Sequence, residues 1–204
     1  MWGFKLGIRS SAPGTALTGA LVAVLAAAGC APASEADGAT LTVLAAASLS
    51  EAFRALGAAY EEGHGGVTTA FSFAGSQQLA TQILEGAPAD VFASANAAQM
   101  ERVVEGGLVA PQAVATFATN RLVIVRPADG AARVAAPADL ALPGLKLVLA
   151  ARDVPAGKYA LEFLAKASVP SELGPEFGPA VLANVASYED DVQAVLAKVA
   201  LGEA

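Results

Sequence analysis

The sequence is short of the residues that most directly announce chemistry. It has one cysteine, Cys30, in 204 residues, so no disulfide can close within the chain. It has one histidine, His64, set in the loop EEGHGG. A serine hydrolase needs a base beside its nucleophile, and a lone histidine among glycines reads instead as a solvated turn. No G-x-S-x-G elbow is present to offer a nucleophilic serine. Charged residues make up 15% of the chain and leave it at −7. Nucleic-acid binding demands clustered Lys and Arg, so that class is excluded. The chain has no internal repeat and no low-complexity segment beyond residues 30–40. Its longest apolar run, about residues 20–28, is too short for a comfortable membrane span.

What is present is small and aliphatic. At 55% hydrophobic the chain can bury a sizeable core and is not a disordered polymer. Abundant alanine with few aromatics points to a helix-rich α/β structure. The length allows one large domain or two small ones.

The first residues read as a targeting segment. MWGFKLGIRS carries Lys5 and Arg9, and TALTGALVAVLAAAGC follows, ending in small residues. A basic start, a short apolar stretch and a small-residue end make residues 1–29 a secretory signal peptide. Ala27-Ala28-Gly29-Cys30 resembles a bacterial lipobox, although leucine is commoner where Ala27 stands. The resemblance implies that Cys30 becomes the lipidated first residue, with the multi-chain anchor that stable membrane attachment needs. The other reading is ordinary cleavage, leaving Cys30 an idle thiol. Residues 30–40, small and polar, form a tether.

Beyond the tether, β-like and α-like patterns alternate. Leu41 to Ala46 reads as a buried strand. Ser48-Leu49-Ser50-Glu51 fits a capping box, and Leu49, Phe53, Leu56 and Tyr60 follow at helical spacing, with core packing expected for Tyr60. Gly63, Gly65 and Gly66 end that helix. Val67, Thr69, Phe71 and Phe73 alternate as a second strand. A helix carrying Leu79 and Ile83 stops at Gly86, Asp90 to Ala95 is a third strand, and Met100, Val103 and Val104 share a face of a third helix. Later, Leu122 to Val125 and Leu145 to Ala150 read as strands. Pro127 to Gly130 reads as a turn. A helix runs from about Val154 to Lys166, and Pro170 to Pro179 is a loop. Val185 to Ser187 is a strand, Asp190 a candidate N-cap, and Val192 to Ala200 a helix. Repeated β-then-α order is the signature of a parallel sheet.

In such sheets ligands bind outside the carboxyl ends of the strands, where the following helices aim their N-termini. Those termini offer unpaired N–H donors and a partial positive charge. Ser48 and Ser76 stand at two such junctions, each adding a rotatable hydroxyl. Ala156 and Val192 stand at two more, where the backbone N–H is the useful group. Four junctions converging on one small anion need no lysine or arginine. The acidic net charge does not oppose this, because distant carboxylates are screened beyond about 8 Å at physiological salt. Each serine taken alone is more simply an N-cap that binds nothing.

Four stretches carry a family resemblance: LAAASL at 44–49, FAGSQQLATQILEGAPADVFASAN at 73–96, VPAGKYALEFL at 154–164 and EDDVQAVLAKVALGEA at 189–204. They resemble motifs of the periplasmic molybdate-binding proteins of ABC transporters. The resemblance implies a two-lobed periplasmic-binding-protein type II fold of class α/β, each lobe a mainly parallel sheet flanked by helices. It implies lobe 1 over residues 41–118, lobe 2 over 119–204 and a crossing near Thr119 to Leu122. It implies capture of molybdate or tungstate for a membrane permease, by a monomer without cofactor, the molybdenum being present only within the bound oxyanion. Carried over residue by residue, Ser48 and Ser76 match the family's hydroxyl donors, and Ala156 and Val192 its backbone donors. The family's chain continues past the GEA-like end into a strand with a ligand-binding tyrosine and then back to the first lobe. This sequence stops before both, so the expectation is a shortened chain with an incomplete second lobe. Arg152, Asp153 and Lys158 flank the Ala156 motif, either as ordinary charges at a helix start or, for Lys158, as added field at the cleft.

Other readings stay open at this point. The anion could be another tetrahedral oxyanion such as sulfate. A ferric-ion binder of similar fold would gather Tyr60, Tyr159 and Tyr188. A shortened surface lipoprotein could bind nothing.

Overall fold

The computed structural model describes residues 2–8, 38–128 and 134–204. The apolar run, Cys30 with its expected lipidation and most of the expected tether lie outside the described residues, as does the end of the expected turn at Pro127 to Gly130. Eight elements make the first lobe: β1 (Trp2–Ile8), β2 (Ala39–Ala46), α1 (Ser50–Gly63), β3 (Val67–Ala74), α2 (Ser76–Leu84), β4 (Val91–Ser94), α3 (Ala97–Glu105) and β5 (Ala115–Asn120). Their sheet has the order β3-β2-β4-β1-β5. β2 pairs in parallel with β3 and β4, while β1 runs antiparallel to β4 and β5.

β2 is the hub because its run of apolar residues can be buried on both faces. Leu44 turns to one face, packing with Leu79, Ile83, Phe92, Met100 and Val103 beneath α2 and α3. Val43 and Ala45 turn to the other, with Phe4, Leu49 and Ala93. Gly66, Gly86 and Gly107 hold φ of +86°, +99° and +74°, so the glycines that stop α1, α2 and α3 take backbone conformations other residues resist.

β1 departs from the sequence reading, which gave these residues to the basic start of a signal peptide. The structure seats them between β4 and β5. Phe4 joins the core, and Lys5 Nζ donates to Thr116 Oγ1 at 2.6 Å. Gly3 and Gly7 allow the fit: a Cβ on Gly7 would come 2.9 Å from Met100 Sδ, and one on Gly3 2.8 Å from Thr116 Cγ2. Cleavage before Cys30 would remove β1 and open the slot it fills.

The second lobe holds β6 (Leu147–Ala150), α4 (Pro155–Ala167), α5 (Phe177–Ala183), β7 (Val185–Glu189) and α6 (Val192–Ala200). β6 and β7 pair in parallel. Leu140, Leu164, Ala167, Phe177 and Val181 form its core. The fold is two-lobed α/β with mainly parallel sheets.

Three expectations are corrected here. Leu122 to Val125 is not a strand; the chain leaves β5 at Asn120, and this apolar run lies exposed with no ladder partner among the described residues. A strand needs a neighbour for its backbone N–H and C=O groups, and β propensity alone supplies none. The expected loop at Pro170 to Pro179 ends early, at Phe177, where α5 begins. Pro179 is its third residue, within the first turn, where a missing N–H costs no helical bond. Tyr60 is not a core residue: it is 42% exposed and stacks on His64 at 4.0 Å between ring centroids. Among the described residues, no helix is long and apolar enough to cross a membrane.

Candidate functional site

A cavity of about 530 Å³ lies between the lobes. Ser48, Ser76, Ala156 and Val192 all lie on its wall. The structure therefore brings together the four residues that sequence reasoning chose, two from each lobe.

Ser48 arrives differently from the expectation. The chain leaving β2 makes a short 3-10 turn, Ala47–Leu49, before α1 begins at Ser50. Ser48 sits inside that turn rather than at an N-cap, so the capping box with Glu51 does not form. Its side chain is exposed and has no hydrogen-bond partner among the described residues, which leaves the hydroxyl free for a ligand.

Ser76 is the opposite case. It opens α2 directly after Gly75 and is 1% exposed. Its Oγ accepts from the Ala95 N–H at 2.9 Å. With that lone pair occupied, the hydroxyl proton remains available to donate into the cavity. Behind it, Ser94 Oγ donates to the Asn96 carbonyl at 2.9 Å, and Asn96 Oδ1 caps α3 by accepting from Gln99 N at 3.1 Å. This buried polar layer fixes the end of β4 that in turn fixes Ser76.

On the second lobe, Pro155 is the first residue of α4 and has no N–H, so the helix presents its N-terminal donors from Ala156 onward. Gly157 cannot be replaced quietly, since a Cβ there would overlap the carbonyl oxygens of Ala150 and Ala151. At α6 the cap is Asp191, one residue beyond the Asp190 expected. Asp191 Oδ1 accepts from Gln193 N at 2.8 Å and Ala194 N at 3.0 Å. The cap thus takes the second and third N–H groups of the helix and leaves that of Val192, the first. β7 and α6 are tied by Lys198, whose Nζ lies 2.9 Å from Glu189 Oε1. Ser187 Oγ also donates to Glu189 Oε1 at 2.7 Å. The Lys198 bond first, and the Ser187 bond second, hold the Glu189 carboxyl below the usual glutamate range.

Sequence reasoning did not foresee the rest of the wall. Arg121, Arg126 and Lys146 line the same cavity, so cations are present although none stands at a junction. Much of the remaining surface is aliphatic, from Leu122 to Val125 and across to Val195 and Val199. A second cleft of about 510 Å³ adjoins it, with Arg102 on the first lobe facing Arg152, Asp153 and Lys158 on the second. Two glutamines, Gln77 and Gln193, also reach from one lobe to the other. Their position just after a candidate donor was the only signal available, and side-chain reach cannot be read from spacing.

The tyrosines that a ferric site would need are not gathered: none of Tyr60, Tyr159 and Tyr188 lines either cavity. Among the described residues, no cluster of three His, Cys, Asp or Glu is placed to hold a metal ion. His64 lies on an exposed loop and lines neither cavity, with Nδ1 2.9 Å from the Tyr60 carbonyl.

A family model described as bacterial extracellular solute-binding protein matches residues 41–204. The molybdate-binding protein ModA of Mycobacterium tuberculosis (strain H37Rv) is 46% identical over 102 residues, covering 50% of this chain and 39% of the relative. ModA of Escherichia coli (strain K12) is 34% identical over 150 residues, covering 68% of this chain and 53% of the relative. The matched stretches thus span about two fifths to one half of these relatives' length. Among solved structures, the substrate-binding domain assigned to a molybdenum ABC transporter of Clostridium difficile aligns with a TM-score of 0.56 at 30% identity, over 81% of this chain and 69% of that one. The sulfate-binding protein SubI of M. tuberculosis aligns at 0.60 with 20% identity, over 75% of this chain and 58% of that one, which speaks for the fold alone.

Proposed function

Because the chain belongs to the bacterial extracellular solute-binding proteins, we propose that it captures molybdate, and tungstate with it, outside the cytoplasm and delivers the anion to an ABC importer permease. One observation carries this reading: the structure sets four strand-to-helix junctions, two per lobe, around a single cavity. Two contribute hydroxyls, at Ser48 and Ser76, and two contribute first-turn backbone N–H groups, at Ala156 and Val192. Donors fixed on helix N-termini suit a tetrahedral dianion without a covalent step. The names of the mycobacterial, enteric and clostridial relatives support molybdate as that dianion.

Membership of the solute-binding family supports a role in binding rather than catalysis. Selectivity against sulfate rests on size. The two anions share shape and charge, so a pocket of rigid donors separates them by its distances to the oxygens. Export follows from the basic and apolar start of the sequence, and anchoring from lipidation at Cys30. The lobes close on the anion by a hinge near Asn120.

A thermal-shift series on the full chain with molybdate, tungstate, sulfate and phosphate tests this reading. A ligand at a hundred times its dissociation constant adds about 2.7 kcal/mol, a rise of several degrees at this size. The proposal expects that rise for molybdate and tungstate alone. A rise for sulfate of equal size would replace molybdate with a general oxyanion, and a folded chain indifferent to all four would end the proposal.

A further inference from the structure

We infer that Gln77 and Gln193 are a reciprocal pair of latches that hold the two lobes closed over the anion site, with Gln77 the principal one. Gln77, on α2 of the first lobe, donates from Nε2 to the Asp190 carbonyl of the second at 3.1 Å. Gln193, on α6 of the second lobe, donates from Nε2 to the Ala47 carbonyl of the first at 3.3 Å. Each lobe therefore sends one side-chain amide to one backbone carbonyl of the other.

Their positions tie them to the ligand. Gln77 follows Ser76, and Gln193 follows Val192; Ala47 precedes Ser48. Each latch joins residues next in sequence, or two away, to candidate donors on opposite lobes. Any opening that separates the donors must break both bonds. Neither glutamine need touch the anion, so both are positioning residues, and this inference rests on the proposed anion site.

Two further observations single out Gln77. It is 8% exposed, and its Oε1 is the one buried side-chain polar atom without a hydrogen-bond partner among the described residues. An unpaired buried acceptor carries a desolvation penalty that offsets part, not all, of what the Nε2 bond contributes. The latch is thereby kept weak enough to open, as a capture-and-release protein requires. Gly75 supplies the space. A Cβ on it would come 2.5 Å from Gln77 Nε2 and 2.6 Å from the Asp190 carbonyl oxygen. Its φ of −59° and ψ of 138° suit any residue. The Gln77 side chain and the Asp190 carbonyl of the second lobe, not backbone conformation, therefore require glycine here.

The test measures the interlobe distance. Spin labels placed at Glu85→Cys on the first lobe and Lys166→Cys on the second, in the full chain carrying Cys30→Ser, report that distance without any added anion. Gln77→Ala, and independently Gly75→Ala as a steric wedge, should shift the distribution to longer distances, and Gln193→Ala should do so to a lesser degree. With molybdate as probe, the dissociation rate should rise roughly two- to tenfold, the scale of one neutral hydrogen bond, with the association rate little changed. A distance distribution identical to wild type in both Gln77→Ala and Gly75→Ala would overturn the latch. A longer distance with unchanged dissociation would overturn its coupling to the ligand. If the wild-type chain fails to bind molybdate, the functional proposal falls, and the anion-free distances still decide the latch.

Discussion

The two lobes start from the same β-then-α pattern and finish differently. In the first, five strands make a sheet with apolar clusters on both faces, and β2 is buried from Val43 to Ala46. In the second, among the described residues, two strands carry one small core, α6 has no fully buried residue, and Leu122 to Val125 lie exposed nearby. Yet both lobes place two candidate donors on the wall of the same cavity. A strand-to-helix junction needs only one strand, one helix and a short connection, so it survives in a lobe whose sheet is narrow. Stability depends on the sheet being covered; the proposed site depends on the junctions.

The largest effect that would break this comparison comes from core truncation. Phe92→Ala in the first lobe should cost about 3–5 kcal/mol, and Leu164→Ala in the second about 2–3 kcal/mol. Hydrogen exchange should separate them: the Phe92 variant should loosen the most protected amides, the Leu164 variant those of β6, β7 and α4 only. Equal loosening of both lobes by Leu164→Ala would show that they unfold as one unit.

Next come the serines. Ser48→Ala and Ser76→Ala should each weaken oxyanion binding by about 1.5–3 kcal/mol, the scale of a hydrogen bond to a charged group. They should differ in stability. Ser76→Ala strands the Ala95 N–H and should lower the melting temperature, whereas the exposed Ser48 should not. Calorimetric titration and melting of the same two proteins check both halves.

These two serines also show what the sequence could reveal. Both were legible because a switch from period-two to helical patterning marks a junction, and that switch is local. The caps were less legible. Asp190 and Asp191 are adjacent and chemically alike, and only backbone geometry picks Asp191. The capping box at Ser48 failed because a 3-10 turn intervened, which no spacing rule anticipates. Strand pairing was the least legible. Leu122 to Val125 has the composition of a strand and no partner, while Ala115–Asn120 is a modest strand former that gains one in β1. The partner comes from residues more than a hundred positions away, whose basic and apolar pattern also fits a leader.

Smaller effects sharpen the contrast at the second lobe. Val123→Lys should change stability by less than 0.5 kcal/mol, because Val123 is 73% exposed. A loss above 1 kcal/mol would show this run to be packed in solution. Smallest is the Glu189–Lys198 pair. Its carboxyl is held low in the folded chain, so its contribution is present above the ordinary glutamate value of about 4.3 and fades as pH falls through the lowered folded one. Lys198→Met should flatten that acid-side loss in a pH series of melting temperatures, with little change near neutrality.

Whether junction donors from both lobes form one oxyanion site is decided by calorimetric titration of the full chain with molybdate. One anion should bind per chain, with the heat abolished in the Ser48→Ala/Ser76→Ala double variant. A folded wild-type chain that gives no heat, or a double variant that binds as tightly as wild type, would contradict it.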